Sequence, residues 1–125
     1  MIKNDTEIKT DNVCNFHYLN EMTGGNKQLS IEIIDAFLNQ VPVELQTISD
    51  AITKKDYKTI KNYAHTMQSS VSIMGITLLA PILKEMENLA ATGNEIEKIN
   101  QLYYDIVSIS IQAVEEIKKE KLNYI

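Results

Sequence analysis

The chain has 125 residues, 44% of them hydrophobic, or about 55 apolar side chains, enough to fill one core and too few for two. All 12 basic residues are Lys, set against 17 acidic ones for a net charge of -5, so the Arg-bearing basic face that nucleic-acid binding needs is missing. A lone Cys14 excludes an intramolecular disulfide, no stretch approaches the ~18 apolar residues of a membrane span, and Met1 to Glu7 lack the apolar core of a signal peptide. The expectation is a soluble cytoplasmic domain that has neither nucleic acid nor membrane as a partner.

Residues 1–11 are polar and predict a flexible N-terminal tail. A short helix is expected from about Asn12 to Met22, using Val13, Phe16, Leu19 and Met22, before the Gly24-Gly25 break. From Ser30 to Ala51 the apolar residues Ile34, Leu38, Val41, Leu45, Ile48 and Ile52 recur every three or four positions, with Ile33 and Phe37 widening the stripe, and predict an amphipathic helix of about 24 residues. Pro42 lies inside it and removes the bond to the Leu38 carbonyl; the period continues in phase on both sides, so a kink is expected and not a stop. Asp56 is a candidate N-cap for the next helix, whose stripe is Tyr57, Ile60, Ala64, Met67, Val71 and Met74 and whose end is Gly75.

Leu79, Ile82, Leu83, Met86, Leu89 and Ala90 form the following apolar face, with Pro81 tolerated in its first turn and Gly93 closing it. Asn94 is expected to cap the last helix, with Glu97 in capping-box position and Ile96, Ile99, Leu102, Ile106, Ile109, Ala113 and Ile117 buried. No segment shows the period-two alternation of strands. The class is therefore all-α. Four helices of 15 to 25 residues, each with one apolar stripe and short connections, bury those stripes as an antiparallel four-helix bundle, with the short extra N-terminal helix covering one end. The bundle is expected over residues 12–120, and residues 121–125 as a C-terminal tail.

Two histidines are present. His17, between Phe16 and Tyr18, has no acidic or cysteine neighbour at metal-ligand spacing and is expected to be a capping or surface residue. His65 follows the core position Ala64, which rotates it about 100° off the buried stripe toward solvent. On the same flank stand Lys58, Lys61, Gln68, Ser69 and Ser72. An imidazole with an ordinary pKa of about 6.5 is neutral often enough at pH 7 to attack an electrophile. Lysines and small hydroxyls beside it suit an incoming phosphoryl group, although a solvated helix face has the same composition. A zinc site would need a second ligand at i+3 or i+4, where Gln68 and Ser69 do not qualify, so no metal is expected. Ser-His-Asp patterns, Gly-rich phosphate loops and Cys-x-x-Cys are absent from the sequence, which leaves conventional catalysis without candidate residues.

The stretch Ala64-His65-Thr66-Met67-Gln68-Ser69-Ser70-Val71-Ser72-Ile73-Met74-Gly75 resembles the active helix of histidine-containing phosphotransfer (HPt) domains, whose pattern runs roughly Ala-His-x-Leu-Lys-Gly-Ser-x-x-x-x-Gly. Tyr18-Leu19 with Gly24-Gly25, Phe37-Leu38 with Pro42 and Leu45, Asp56, and Leu83 through Glu87-Asn88-Leu89-Ala90 match in order, and the resemblance covers about residues 13–120. It implies that His65 accepts a phosphoryl group from the aspartyl phosphate of a response-regulator receiver domain, or from a hybrid sensor histidine kinase, and passes it to another receiver. The protein is then a carrier and not an independent catalyst, with no cofactor of its own; Mg²⁺ is expected on the partner receiver.

The sequence departs from the family at Gln68, where Lys is usual, and at Ser69, where Gly is usual. Gln offers a neutral donor roughly half as strong as a charge-assisted one. Lys61, Gln68 and Ser69 are the expected phosphate-supporting residues, Glu87 a possible orienting partner for the ring, and Lys58, Phe37 and Ile76 the expected docking residues. Lys54, Lys55, Lys58 and Lys61 form a basic approach to His65. The alternatives are a phosphotransfer-deficient interaction module that only binds receiver or kinase domains, motivated by Gln68 and Ser69, and an unrelated helical scaffold. A four-helix core of this size closes on itself, so a monomer is expected.

Overall fold

The computed structural model of the protein describes residues 12–125; the expected 1–11 tail lies outside them. Five helices occur among the described residues: α1 (His17–Thr23), α2 (Lys27–Lys54), α3 (Tyr57–Ile73), α4 (Leu79–Thr92) and α5 (Ile96–Lys121), followed by a 3-10 turn, Leu122–Tyr124. Each apolar stripe faces the same interior. Ile34, Ile48, Ile60, Met67, Leu83, Met86, Ile99 and Ile106 are fully buried in one contiguous core, each such side chain contributing about 1.5–3 kcal/mol by leaving water. α2 packs on α3, α3 on α4, α4 on α5, and α5 returns to α2, which closes an antiparallel four-helix bundle.

The helix ends follow local chemistry. Asn26 caps α2 by accepting the Leu29 amide at 2.9 Å. Asp56 caps α3 through the Thr59 amide and takes the Thr59 hydroxyl at 2.7 Å. The α2 helix runs unbroken through Pro42, which sits on its exposed side. α5 differs from expectation at its start: its N-cap is Glu95 with no side-chain cap. Asn94 instead accepts the Thr92 hydroxyl, a link to the preceding turn that turns its side chain away from the helix it was expected to cap.

The N-terminal region also departs from the sequence pattern. Helix α1 starts only at His17, whose amide is accepted by Asn15 Oδ1 at 2.9 Å. Residues 12–16 form a non-helical strap, in which the Val13, Cys14 and Asn15 amides have partners elsewhere. The Glu116 carboxylate on α5 accepts the Val13 and Cys14 amides at 2.9 Å each, and the Asn15 amide donates to the Met74 carbonyl at the end of α3. The strap thus ties the C-terminal ends of α3 and α5 together, at the end of the bundle where α2 begins. Leu19 anchors α1 in the core, whereas Met22 is exposed. The expected 121–125 tail is docked: Tyr124 packs on the core and its hydroxyl lies 2.7 Å from Asn20 Oδ1 of α1.

Gly75 makes the strap's path possible. At the end of α3 the Ile76 amide bonds the Val71 carbonyl and the Gly75 amide bonds the Ser72 carbonyl, the Schellman pattern, with Gly75 at φ +65°. A Cβ on Gly75 would overlap the Asn15 backbone, meeting its carbonyl oxygen and, at 2.8 Å, its amide nitrogen. Gly75→Ala is expected to lower unfolding free energy in urea by about 2–5 kcal/mol, combining ~1–2 kcal/mol for a left-handed backbone with ~1–3 kcal/mol for the overlap.

In the strap, burial and the neighbouring Glu116 carboxylate push the Cys14 thiol up from 9.0 to about 12. A raised folded-state pKa favours the protonated thiol, so this contribution to stability is complete below pH 9 and is lost as pH rises toward 12. At pH 8.5, native Cys14 is expected to react with iodoacetamide ~100-fold more slowly than the urea-unfolded chain, as read by mass spectrometry.

Candidate functional site

His65 lies at the middle of α3, and the helix frame fixes its direction. Ala64 and Met67 point into the core, so the position between them emerges at the border of the buried stripe. The side chain is 70% exposed, and its Nδ1 is 3.0 Å from Glu87 Oε2 on α4. The other oxygen of Glu87 accepts from Gln68 Nε2 at 2.9 Å and lies 3.7 Å from Lys84 Nζ. Glu87 is only 14% exposed in its side chain. Its carboxyl is held below the usual carboxylate range, first by the Gln68 hydrogen bond and then by the Lys84 and His65 charges, with burial opposing.

That ionisation decides the ring's tautomer. A carboxylate only accepts hydrogen bonds, so in the neutral ring Nδ1 carries the proton and Nε2 keeps its lone pair. Nε2 has no partner among the described residues, and the exposed ring presents it to solvent. A cleft of about 650 Å³ opens there, lined by Tyr18, His65, Gln68, Ser69, Ser72 and Ile73. An adjoining apolar groove of about 140 Å³ between α2 and α3 is lined by Ile33, Ala36, Phe37, Gln40, Ser70, Ile73 and Met74; the two share Ile73.

The structure thus brings His65, Glu87, Gln68 and Ser69 together, with Gln68 in a role other than the one expected. Both hydrogens of its Nε2 are engaged, one by Glu87 and one by the Ala64 carbonyl at 3.2 Å. Gln68 therefore steadies the carboxylate that holds the ring and has no N–H left for a phosphate. Ser69 is exposed beside the ring. Lys58 and Lys61 are exposed on α3, outside the cleft lining and in no ion pair among the described residues.

Two expected docking residues do not reach the surface. Ile76 is 1% exposed, because the Schellman turn folds it inward. Phe37 is 6% exposed and belongs to the core, contributing only to the apolar groove. His17 pairs with Glu21 at 3.1 Å on the surface of α1. Sequence reading missed Tyr18 and Lys84. Lys84 was discernible as the residue one turn before Glu87; Tyr18 stood among the ordered matches to the family, but its place in the cleft follows from how the strap sets α1 and not from any local pattern.

A family model described as "Hpt domain" matches residues 32–117, and the chain belongs to that family, the histidine-containing phosphotransfer domains of two-component phosphorelays. Its function is histidine phosphotransfer in phosphorelay signalling, and the family's partners are receiver domains and histidine kinases. Among solved structures it is similar to histidine-containing phosphotransfer protein B (HptB) from Pseudomonas aeruginosa PAO1, with a TM-score of 0.83 over 90% of this chain and 97% of that one. At 21% identity, that likeness establishes a shared fold. A search of curated proteins found no match. Among the described residues no helix is long and apolar enough to cross a membrane, and no group of three or more His, Cys, Asp or Glu is placed to hold a metal ion.

The Glu87 carboxylate adds stability above the ordinary Glu range, and that contribution is lost as pH falls through its depressed folded-state value. Its effect on the ring is directly measurable. In ¹⁵N NMR spectra at alkaline pH, His65 of the parent protein is expected to be the Nδ1–H tautomer, and Glu87→Ala to move the proton predominantly to Nε2.

Proposed function

We propose that His65 is the phosphoacceptor, taking a phosphoryl group from the aspartyl phosphate of a receiver domain, such as that of a hybrid sensor kinase, and handing it to a second receiver. The observation that carries this reading is the division of labour on the ring: Nδ1 is held by Glu87 and Nε2 is left exposed, without a partner among the described residues. In the transfer, the Nε2 lone pair forms a bond to phosphorus as the aspartyl P–O bond breaks and the carboxylate leaves. The ring becomes a phosphoimidazolium whose charge rests against Glu87, and the reverse sequence discharges it. Hydrogen bonds between charged groups strengthen as that charge appears, which makes Glu87 more favourable in the transition state than before it.

The carrier supplies position, and the receiver supplies the Mg²⁺ and the acidic pocket in which the transferring oxygens are neutralised. Lys58 and Lys61 form a basic rim for that pocket, and Ser69 offers a hydroxyl to the phosphoryl group. The apolar groove of Ile33, Ala36 and Ile73 beside the cleft provides the docking contact that Phe37 and Ile76 cannot. Every group this requires stands on one protomer, so the carrier acts as a monomer, in the cytoplasm where receiver domains reside.

Incubation with a phosphorylated receiver is expected to yield acid-labile, alkali-stable label on the protein, absent from His65→Gln. Label persisting in that variant would sink the assignment. Glu87→Ala is expected to retain labelling but at a rate lower by ~10-fold or more, as the loss of a charge-assisted hydrogen bond to the ring implies.

A further inference from the structure

The cleft beside His65 has few donors available to an anion. Gln68 has both N–H groups engaged, and the Ser72 hydroxyl donates to the Gln68 carbonyl at 2.8 Å. Ile73 is apolar, and the Glu87 carboxylate behind the ring accepts hydrogen bonds and repels a phosphate. Lys58 and Lys61 do not line the cleft. Two lining groups remain without a hydrogen-bond partner among the described residues, the hydroxyls of Ser69 and Tyr18.

Tyr18 is fixed in place from several sides. Its neighbour Leu19 is fully buried, Asn20 is bonded to Tyr124, and Thr23 at the end of α1 is bonded to the buried Ser30 of α2 at 3.1 Å. The helix is therefore a firm support, and the Tyr18 ring projects from it, 52% exposed, into the wall of the cleft. A phenol also donates more strongly than the aliphatic hydroxyl of Ser69.

The geometry points to Tyr18 as a phosphoryl-binding residue, its hydroxyl donating a hydrogen bond to the phosphoryl group on His65 Nε2 and serving where the family's pattern has a lysine that this chain lacks. The inference rests on His65 being the phosphoacceptor. It gives the phosphorylated state a neutral donor, set by a helix outside the four-helix core.

Phosphoramidate tests this without a partner protein. Its P–N bond breaks, ammonia leaves, and phosphorus bonds to Nε2, giving a phosphoimidazolium that keeps its Nδ1 proton against Glu87. Peptide mapping locates the label, and ³¹P NMR follows its loss at neutral pH. A donor on the phosphoryl oxygens stabilises the dianion more than the metaphosphate-like transition state of hydrolysis, in which those oxygens carry less charge. Tyr18→Phe is thus expected to carry its label on His65 and to lose it about threefold faster than the parent, with unchanged stability in urea, as the removal of one neutral hydrogen bond implies. An unchanged lifetime with the label on His65 overturns the role of Tyr18 and leaves the phosphoacceptor standing. Faster loss accompanied by lower stability in urea assigns the effect to packing and also overturns it. A parent protein whose label maps elsewhere than His65 overturns both readings.

Discussion

A carboxylate set between two packed helices governs this molecule's chemistry. Glu87 is 14% exposed in its side chain between α3 and α4, and a charge so placed is favoured when each of its oxygens is bonded. The chain meets that demand with three different groups: Gln68 and Lys84 on one oxygen and the His65 ring on the other. What looks like an arrangement for orienting a histidine is equally the arrangement that lets an anion remain where it is. The ring's tautomer follows, and so does the direction in which its reactive nitrogen faces.

The same logic accounts for the substitution of Gln for Lys at position 68. A lysine there would offer a full charge to an outside anion, whereas Gln directs two donors inward, to the carboxylate and to the Ala64 carbonyl. The site is thereby rigid on its inner side and short of fixed positive charge on its outer side. With no arginine in the chain, an attached phosphate is met by hydroxyls, and strong neutralisation comes only when a partner brings its own cation. Such a site suits brief occupancy better than tight retention.

The four long helices were legible because their stripes repeat at the helical period, and each stripe leads directly to a buried set such as Ile60, Ala64, Met67 and Val71. His65 was legible for the same reason, as the polar residue one step off a stripe. The errors arose where side chains are decided by neighbours distant in sequence. Ile76 reads as a docking residue until the Gly75 turn folds it inward, and Phe37, which the period already assigns to the widened stripe, is taken by the core and not by the surface. Asn94 has the composition of a cap but is claimed by Thr92. Gln68 was weighed as an outward donor because its partner, Glu87, stands on another helix. The helical reading of residues 12–16 failed where the Glu116 carboxylate, far along the chain, accepts the Val13 and Cys14 amides.

Chain separation also divides the site into two parts. His65 and Glu87 are 22 residues apart, on consecutive helices, while Val13 and Glu116 are 103 apart and Asn20 and Tyr124 are 104 apart. Closing the longer loop costs about 1.4 kcal/mol more in chain entropy than closing the shorter. Contacts made across short separations carry the smaller entropic cost of closure. The imidazole and its carboxylate are thus joined across one short connection, without help from either end of the chain. The strap and α1, which carry Tyr18 to the cleft, are held instead by links to the far end of the chain, so the wall of the cleft is joined to the bundle by its two most distant segments.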